Sequence, residues 1–343
     1  MQEIIDLRSD TLTTPCNAMR KHMADAAVGD DVFSEDPSIT KLEAKTAELA
    51  HHEAGLFFPS GTQSNLVAIL SHCQRGDEYI VGQNAHTYKF EGGGAAVLGS
   101  VQPQPIENSS DGSIPLAKIR AAIKPDDFHF ANTRMLALEN TIGGKVLDQH
   151  YIQQAGKLAR ESNLVFHLDG ARAFNAAAAQ GIELHEITQQ FDSVSLCMSK
   201  GLGAPVGSVL VGSRDYISQA RRWRKMVGGG MRQAGMLAAA ASYALDHNVM
   251  RLTKDHDLAQ RLAQELLKID GLHVHGGSAQ TNMLFLSLAS NSETSKSGEQ
   301  FLQYCKSQGL LFTGNATARL VIYKGITEQM IDRAVLIIQG FFD

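Results

Sequence analysis

Hydrophobic and polar positions along the chain follow two different periods. From about residue 39 to 53, Ile39, Leu42, Ala47, Leu49 and Ala50 recur among charges at helical spacing, which predicts a helix. Residues 55–65 then read as a short strand, a turn and the start of a helix. Leu66, Ile69, Leu70 and Cys73 form the apolar face of that helix. Short apolar runs at 79–81, 95–101, 135–138, 164–168, 194–198 and 206–211 have strand length. Helical patterns separate most of them, notably 149–162 and 184–190. Strands alternating with helices predict an α/β fold with a mostly parallel sheet covered on both faces. The pattern changes beyond about residue 246. An amphipathic helix over about 249–268 leads into strands at 272–275 and 283–288, a helix at 298–308, and strands at 310–312 and 319–323. A closing helix spans about 327–342. This predicts a large α/β domain over 1–246, whose first 15 residues or so form an arm near the site, and a small C-terminal α+β domain over 247–343. Residues 289–297, rich in Ser, Asn and Thr, read as a solvated loop.

Composition narrows the class. The 343 residues are 43% hydrophobic, enough for a large core and for division into two domains. A net charge of −5 points away from nucleic acid and anionic membranes. The one basic run, Arg221-Arg-Trp-Arg-Lys225, reads as a solvated helix face. Cys16, Cys73, Cys197 and Cys305 are scattered, the usage of a reduced compartment rather than a disulfide framework. Charges in the first ten residues argue against a signal peptide. The longest apolar stretch, 234–245, is broken by Gly235, Ser242 and Tyr243 and is too short to span a bilayer. A soluble cytoplasmic protein is expected.

Chemistry enters at two strand ends. The run Ser193-Val-Ser-Leu-Cys-Met-Ser-Lys200 ends in a lysine before a glycine turn. The run Leu164-Val-Phe-His-Leu-Asp169 ends in a carboxylate. Parallel strands place both at the carboxyl edge of one sheet, where open α/β sheets bind ligands. A lysine able to form a Schiff base, with an aspartate for a pyridinium nitrogen, suits pyridoxal 5'-phosphate. Arg172, three residues on, reads either as an ion-pair partner of Asp169 or as a contact for the cofactor's phenolic oxygen or a substrate carboxylate. Ser60-Gly61-Thr62-Gln63 opens a helix after a strand, where free N–H groups and the helix dipole favour phosphate. His86 offers a flat ring to stack on a pyridine and a base near neutral pH. His129 is either a second such group or a loop residue. Arg232, after Gly228-Gly-Gly230, and Arg319 suit carboxylate or phosphate.

These pieces together resemble the L-threonine aldolases of the low-specificity and L-allo type, fold-type I enzymes near the β-eliminating lyases. The resemblance runs through Ile5-Asp-Leu-Arg-Ser-Asp-Thr11, Val28-Gly-Asp-Asp31, Phe58-Pro-Ser-Gly-Thr62 and Leu138-Glu-Asn-Thr141. It continues through His167-Leu-Asp-Gly-Ala-Arg172, Ser199-Lys-Gly-Leu-Gly203, Gly228-Gly-Gly-Met-Arg-Gln233, Gln280-Thr-Asn-Met283 and Arg319-Leu-Val321. It implies a fold-type I architecture and retro-aldol cleavage of L-threonine or L-allo-threonine to glycine and acetaldehyde. It implies Lys200 as the Schiff-base lysine, Asp169 at the ring nitrogen and His86 stacked on the ring. Gly61 and Thr62 would hold the phosphate, with Arg232 from a neighbouring subunit. Ser9, Arg172 and Arg319 would bind the substrate carboxylate, and His86 and His129 would flank the β-hydroxyl. A homotetramer with sites at the dimer interface is implied, with small amino acids as substrates and neither nucleic acid nor membrane as partner. Ile142, Tyr323 and Phe90 depart from the family pattern. Another PLP-dependent lyase or transaminase is the alternative activity, and a non-catalytic PLP-binding protein the alternative class.

Overall fold

The structure is a computed structural model and describes residues 4–289 and 297–343. Most of the loop expected over 289–297, and residues 1–3 of the charged start, lie outside the described residues. The first part of the chain forms β1 (Ile5–Asp6), α1 (Asn17–Ala24), α2 (Pro37–Leu49), β2 (Ala54–Phe58), α3 (Gly61–His72), β3 (Asp77–Gly82), α4 (His86–Lys89), α5 (Gly94–Gly99) and β4 (Gln102–Ile106). It continues with α6 (Leu116–Ala122), β5 (Asn132–Glu139), α7 (Gln149–Glu161), β6 (Val165–Gly170), α8 (Ala173–Gln180), α9 (Leu184–Thr188), β7 (Ser193–Cys197), β8 (Ser208–Gly212), α10 (Arg214–Met226) and α11 (Gly235–His247). The remainder forms α12 (Leu252–Leu266), β9 (Leu272–Val274), β10 (Met283–Leu288), α13 (Gly298–Ser307), β11 (Leu310–Leu311), β12 (Ala318–Val321) and α14 (Glu328–Gln339).

Seven strands build the central sheet in the order β2-β8-β7-β6-β5-β3-β4. β8 alone runs against its neighbours, so the sheet is mostly parallel, as the alternation predicts. Ile80, Leu136, Phe166 and Val194 are fully buried within it, and helices cover the faces. The local reasons are legible in α2. Asp36 caps it by accepting the N–H groups of Ser38 and Ile39, and Pro37 sits where a missing N–H costs nothing. Its buried Ile39, Leu42 and Ala47 face the core. The helix ends at Leu49, short of the expected 53, and His51 takes a positive φ of 53°.

One expected strand is a helix. Residues 95–101 fall in α5 and its end, with Ala95 buried and Val97 and Leu98 largely exposed. The strand comes next, as β4, which carries Pro103 and Pro105. Proline lacks the ladder N–H and is tolerated at a sheet edge, and β4 is that edge, paired only with β3.

The C-terminal part forms a three-stranded antiparallel sheet, β12-β10-β9. Leu258, Leu262, Leu284, Leu286, Leu320, Ile331 and Ile338 make its core. Ile5 and Leu7 join that core, because β1 pairs in parallel with β11 and the Leu7 carbonyl accepts the Val321 N–H at 2.9 Å.

The basic run lies on α10, where Arg222 and Lys225 are exposed as expected but Arg221 and Arg224 turn inward. Arg224 is buried, donating to Asp31 at 2.7 Å and to the Phe57 carbonyl at 2.8 Å. Arg221 reaches Glu43 at 3.2 Å. A buried cation requires such partners, and one-dimensional patterning does not reveal them. Cys73, Cys197 and Cys305 are buried, and all four cysteines are free thiols. No helix among the described residues is long and apolar enough to cross a membrane.

Candidate active site

The carboxyl ends of the parallel strands gather the chemistry. Glu139 ends β5 and lies in register with Asp169 on β6, which in turn pairs with Ser195 on β7. His86 follows β3 by four residues and Lys200 follows β7 by three. The turn after Lys200 is closed by Gly203, whose φ is 79° and whose N–H donates to the Lys200 carbonyl at 2.8 Å. The Thr13 hydroxyl donates to the same carbonyl at 3.0 Å, so the arm pins the lysine backbone.

Asp169 is buried. Its Oδ1 accepts the Ala171 N–H at 3.0 Å and its Oδ2 the Asn65 amide at 2.8 Å. Asn65 lies on α3, and the same Nδ2 donates to Glu91 Oε1 at 3.0 Å. Glu91 in turn bonds His86 Nδ1 at 2.8 Å. A continuous chain thus links His86, Glu91, Asn65 and Asp169. The hydrogen bond from Glu91 raises the His86 pKa. Burial pushes the Glu91 carboxyl up. Glu139 Oε2 accepts the His86 backbone N–H at 2.7 Å; burial, then the nearby Asp169 charge, push Glu139 up to about 7.

The start of α3 offers hydrogen-bond donors at this edge. Ser60 caps it, its Oγ accepting the Gln63 N–H at 3.2 Å, and the first N–H groups of a helix have no partner within it. Ser208 begins β8 at the same edge. Its hydroxyl is buried without a partner and lies 3.4 Å from where a Cβ on Gly61 would sit. Behind this helix start, a Cβ on Gly229 would approach Gln63 Oε1 at 2.2 Å, so the triple glycine lets its loop dock against α3.

Asp10, in the arm, is the partner of Arg172. The guanidinium donates to both carboxylate oxygens at 2.8 and 2.6 Å, so Arg172 does not pair with Asp169. Burial opposes both charges, yet the Arg172 charge holds Asp10 below its ordinary value and Asp10 holds Arg172 above its own. Asn282 also donates to Asp10, at 3.3 Å. Arg319 Nη2 donates to the Arg8 carbonyl at 3.1 Å, while its Nε is buried without a partner. Burial, then the charge of Arg172, lower the Arg319 pKa. Asp10 is thus paired with Arg172 and reaches Arg319 through its charge alone. Ser9 is next to Asp10 and accepts the Thr11 N–H at 3.2 Å.

The profile of the beta-eliminating lyase family matches residues 6–289. The chain belongs to that family. It is 52% identical over 328 residues to the low specificity L-threonine aldolase of Escherichia coli K12, covering 96% of both chains. It is 44% identical to a probable low-specificity L-threonine aldolase 2 of Arabidopsis thaliana, covering 93% of this chain and 91% of that one. The solved threonine aldolase of Leishmania major superposes with a TM-score of 0.83 at 19% identity over 99% and 100% of the two chains, a likeness of fold. This lyase is an enzyme with the fold of PLP-dependent proteins.

Not every residue expected in the lyase site reaches it in the single chain. His129 stands on an exposed turn, bonded through Nδ1 to Asp127 at 2.7 Å. Arg232 is exposed and pairs with Asp30 at 2.9 Å; its expected role lies at the site of a neighbouring subunit. Ile142 is buried with its Cγ2 over Gly112. Tyr323 packs against the C-terminal core. Phe90 remains beside His86, ring centroids 5.7 Å apart. Asp10, Asn65, Glu91 and Glu139 are the site residues that sequence reasoning missed. Asp10 and Glu139 lay inside quoted motifs, where position beside Ser9 and after a β-run was the available signal.

The raised Glu139 carboxyl has a measurable consequence. Its folded pKa near 7 exceeds the ordinary 4.5, so its contribution is fully present below pH 4.5 and is lost as pH rises through 7. Glu139→Gln carries no such loss. The variant is expected to gain on the wild type between about pH 5 and pH 8, by about 3 kcal/mol at the upper end, read as a growing difference in Tm. A Tm difference that stays constant across that range would show that Glu139 ionises normally.

Proposed function

We propose that this lyase cleaves L-threonine, L-allo-threonine and related β-hydroxy-α-amino acids reversibly to glycine and an aldehyde, acetaldehyde from threonine, with pyridoxal 5'-phosphate as cofactor. The observation that carries this reading is the 52% identity across 96% of both chains to a low specificity L-threonine aldolase.

The residues present fit the cofactor. A helix start that keeps N–H groups free beyond those the Ser60 cap takes up, with an orphaned hydroxyl beside it, suits the phosphate, and a buried carboxylate with one hydrogen bond per oxygen has a lone pair left for a ring N–H. Ser60, Gly61 and Thr62 would hold the phosphate, Asp169 the ring nitrogen, Lys200 the aldehyde carbon, and His86 would lie against the ring. Bound there, the cofactor supplies an electron sink for the pair released at Cα when Cα–Cβ breaks.

The protein's own part is orientation and proton handling. Arg172 and Arg319, short of one counter-charge, attract the substrate carboxylate, with Ser9 beside them. Fixing the carboxylate there orients Cα–Cβ for cleavage, an effect of positioning. His86 Nε2 takes the β-hydroxyl proton, since Nδ1 is committed to Glu91. Asp10 keeps Arg172 extended toward the site. The chain acts as a homotetramer with sites at the dimer interface; the exposed Phe90, Val97 and Leu98 support an apolar contact between copies. Within that assembly Arg232 adds a phosphate contact across the interface and His129 a second group at the β-hydroxyl. Free thiols support a reduced, cytoplasmic setting, where the activity would contribute to glycine formation.

The test is an absorbance scan of the purified protein with an assay for acetaldehyde from L-threonine and L-allo-threonine in parallel. A visible cofactor band with acetaldehyde release supports the aldolase reading, and the two rates give the stereopreference. A band with ammonia or keto-acid release instead would favour elimination or transamination.

A further inference from the structure

Asn65 occupies an unusual position in the chain of hydrogen bonds. It is 2% exposed, and one amide nitrogen gives both its hydrogens to carboxylates, Glu91 at 3.0 Å and Asp169 at 2.8 Å. Its carbonyl oxygen is buried with no partner. Turning the amide over would set that oxygen against two carboxylates, so the acceptors fix its orientation. A neutral donor between two acidic groups lowers the penalty for both to be ionised together in a poorly solvated place.

What Glu91 does to His86 depends on that ionisation. An ionised Glu91 can only accept, so His86 Nδ1 carries the hydrogen and Nε2 presents a lone pair. A protonated Glu91 donates to Nδ1 instead. The hydrogen of the neutral ring then sits on Nε2, which no longer accepts a proton. We propose that Asn65 is a positioning residue of this lyase: by holding Glu91 ionised beside Asp169, it sets the His86 tautomer that leaves Nε2 free to accept the substrate proton. The catalytic consequence rests on the function proposed above; the tautomer does not.

The charged groups facing His86 are Glu91 from its own segment, Asp169 on β6, Glu139 on β5 and Lys200 after β7. His86 and Glu91 titrate as a unit. The active form is neutral His86 beside ionised Glu91. Removing the Asn65 donor destabilises that form more than the alternative with protonated Glu91, so more alkaline pH is needed to reach it.

The experiment uses Asn65→Ala, the near-isosteric Asn65→Asp, and Ser64→Ala, whose buried hydroxyl bonds Ser195 at 2.7 Å without touching the chain. The cofactor-loaded proteins are assayed against pH, and the His86 ring is read by 15N NMR. In the wild type the neutral ring should be the Nδ1–H tautomer. In Asn65→Ala it should shift toward Nε2–H, kcat should fall about tenfold, and the acid limb of kcat/KM should move up by about one pH unit. Asn65→Asp should move it further, and Ser64→Ala should leave limb and tautomer in place. An unchanged tautomer and limb in both Asn65 variants, or equal shifts in Ser64→Ala, would overturn the proposal. Should Asn65→Ala not fold, Asn65→Asp decides alone. A wild type that releases no acetaldehyde would overturn the aldolase reading, and the tautomer measurement would still decide the role of Asn65.

Discussion

Lys200→Ala is expected to abolish turnover, with kcat falling by roughly 10⁴-fold or more, the scale seen when a covalent group is removed from an active site. The visible band of bound cofactor should vanish with it. The fold should not suffer. The Lys200 side chain is only partly buried, and the contacts that fix the turn, from Thr13 and Gly203, are made to its backbone carbonyl. Alanine retains that carbonyl. Stability should therefore stay within about 0.5 kcal/mol of wild type, as for substitutions outside the packed core. Thermal unfolding beside the assay separates the two effects. Turnover within tenfold of wild type in a folded Lys200→Ala protein would remove the lysine from the mechanism.

Asp169→Asn is expected to lower kcat by about 10²–10³, the range for losing one preorganised electrostatic group, with KM nearly unchanged. The change is close to isosteric and removes only the charge that would keep a ring nitrogen protonated. The amide oxygen of the variant can still accept the Ala171 N–H. Its NH2 group then faces the Asn65 donor and cannot accept from it, so some stability, about 1 kcal/mol, should be lost. The carboxylate clamp proposed for Arg172 and Arg319 lies on other residues, which is why substrate affinity should hold. A kcat within threefold of wild type would place the ring nitrogen elsewhere.

Much of the architecture was legible because it rests on short-range periodicity. The apolar runs that became β5, β6, β7 and β8, and the face of α3, follow from residue spacing alone. The exception at 95–101 shows the limit. An apolar run of strand length cannot be told from a short helix by its composition, and the edge strand beside it was hidden by Pro103 and Pro105. The site divides the same way. Lys200, Asp169, His86 and Ser60 are marked by position at element ends, and the structure gathers them at one sheet edge. Partnerships across the chain were not legible. Arg172 sits three residues from Asp169 yet bonds Asp10, 162 residues away in sequence. Asn65 and Glu91 acquire meaning only once α3 is laid over β6.

The pairing of β1 with β11 bears on how the protein is born. At about 5–20 residues per second, the roughly 300 residues between Ile5 and Leu310 take about 15–60 s to synthesise. For that time the arm has left the ribosome without the strand it pairs with, and Asp10 lacks the Asn282 side of its setting. Lys200 and Asp169 can be in place on a finished central sheet while Ile5 and Leu7, two large apolar side chains, still await their cover. Chains released before β11 should keep the chemistry-bearing strands and present an unanchored, sticky arm to chaperones and proteases. In this protein the last strands made anchor the arm that carries the first residues of the candidate site.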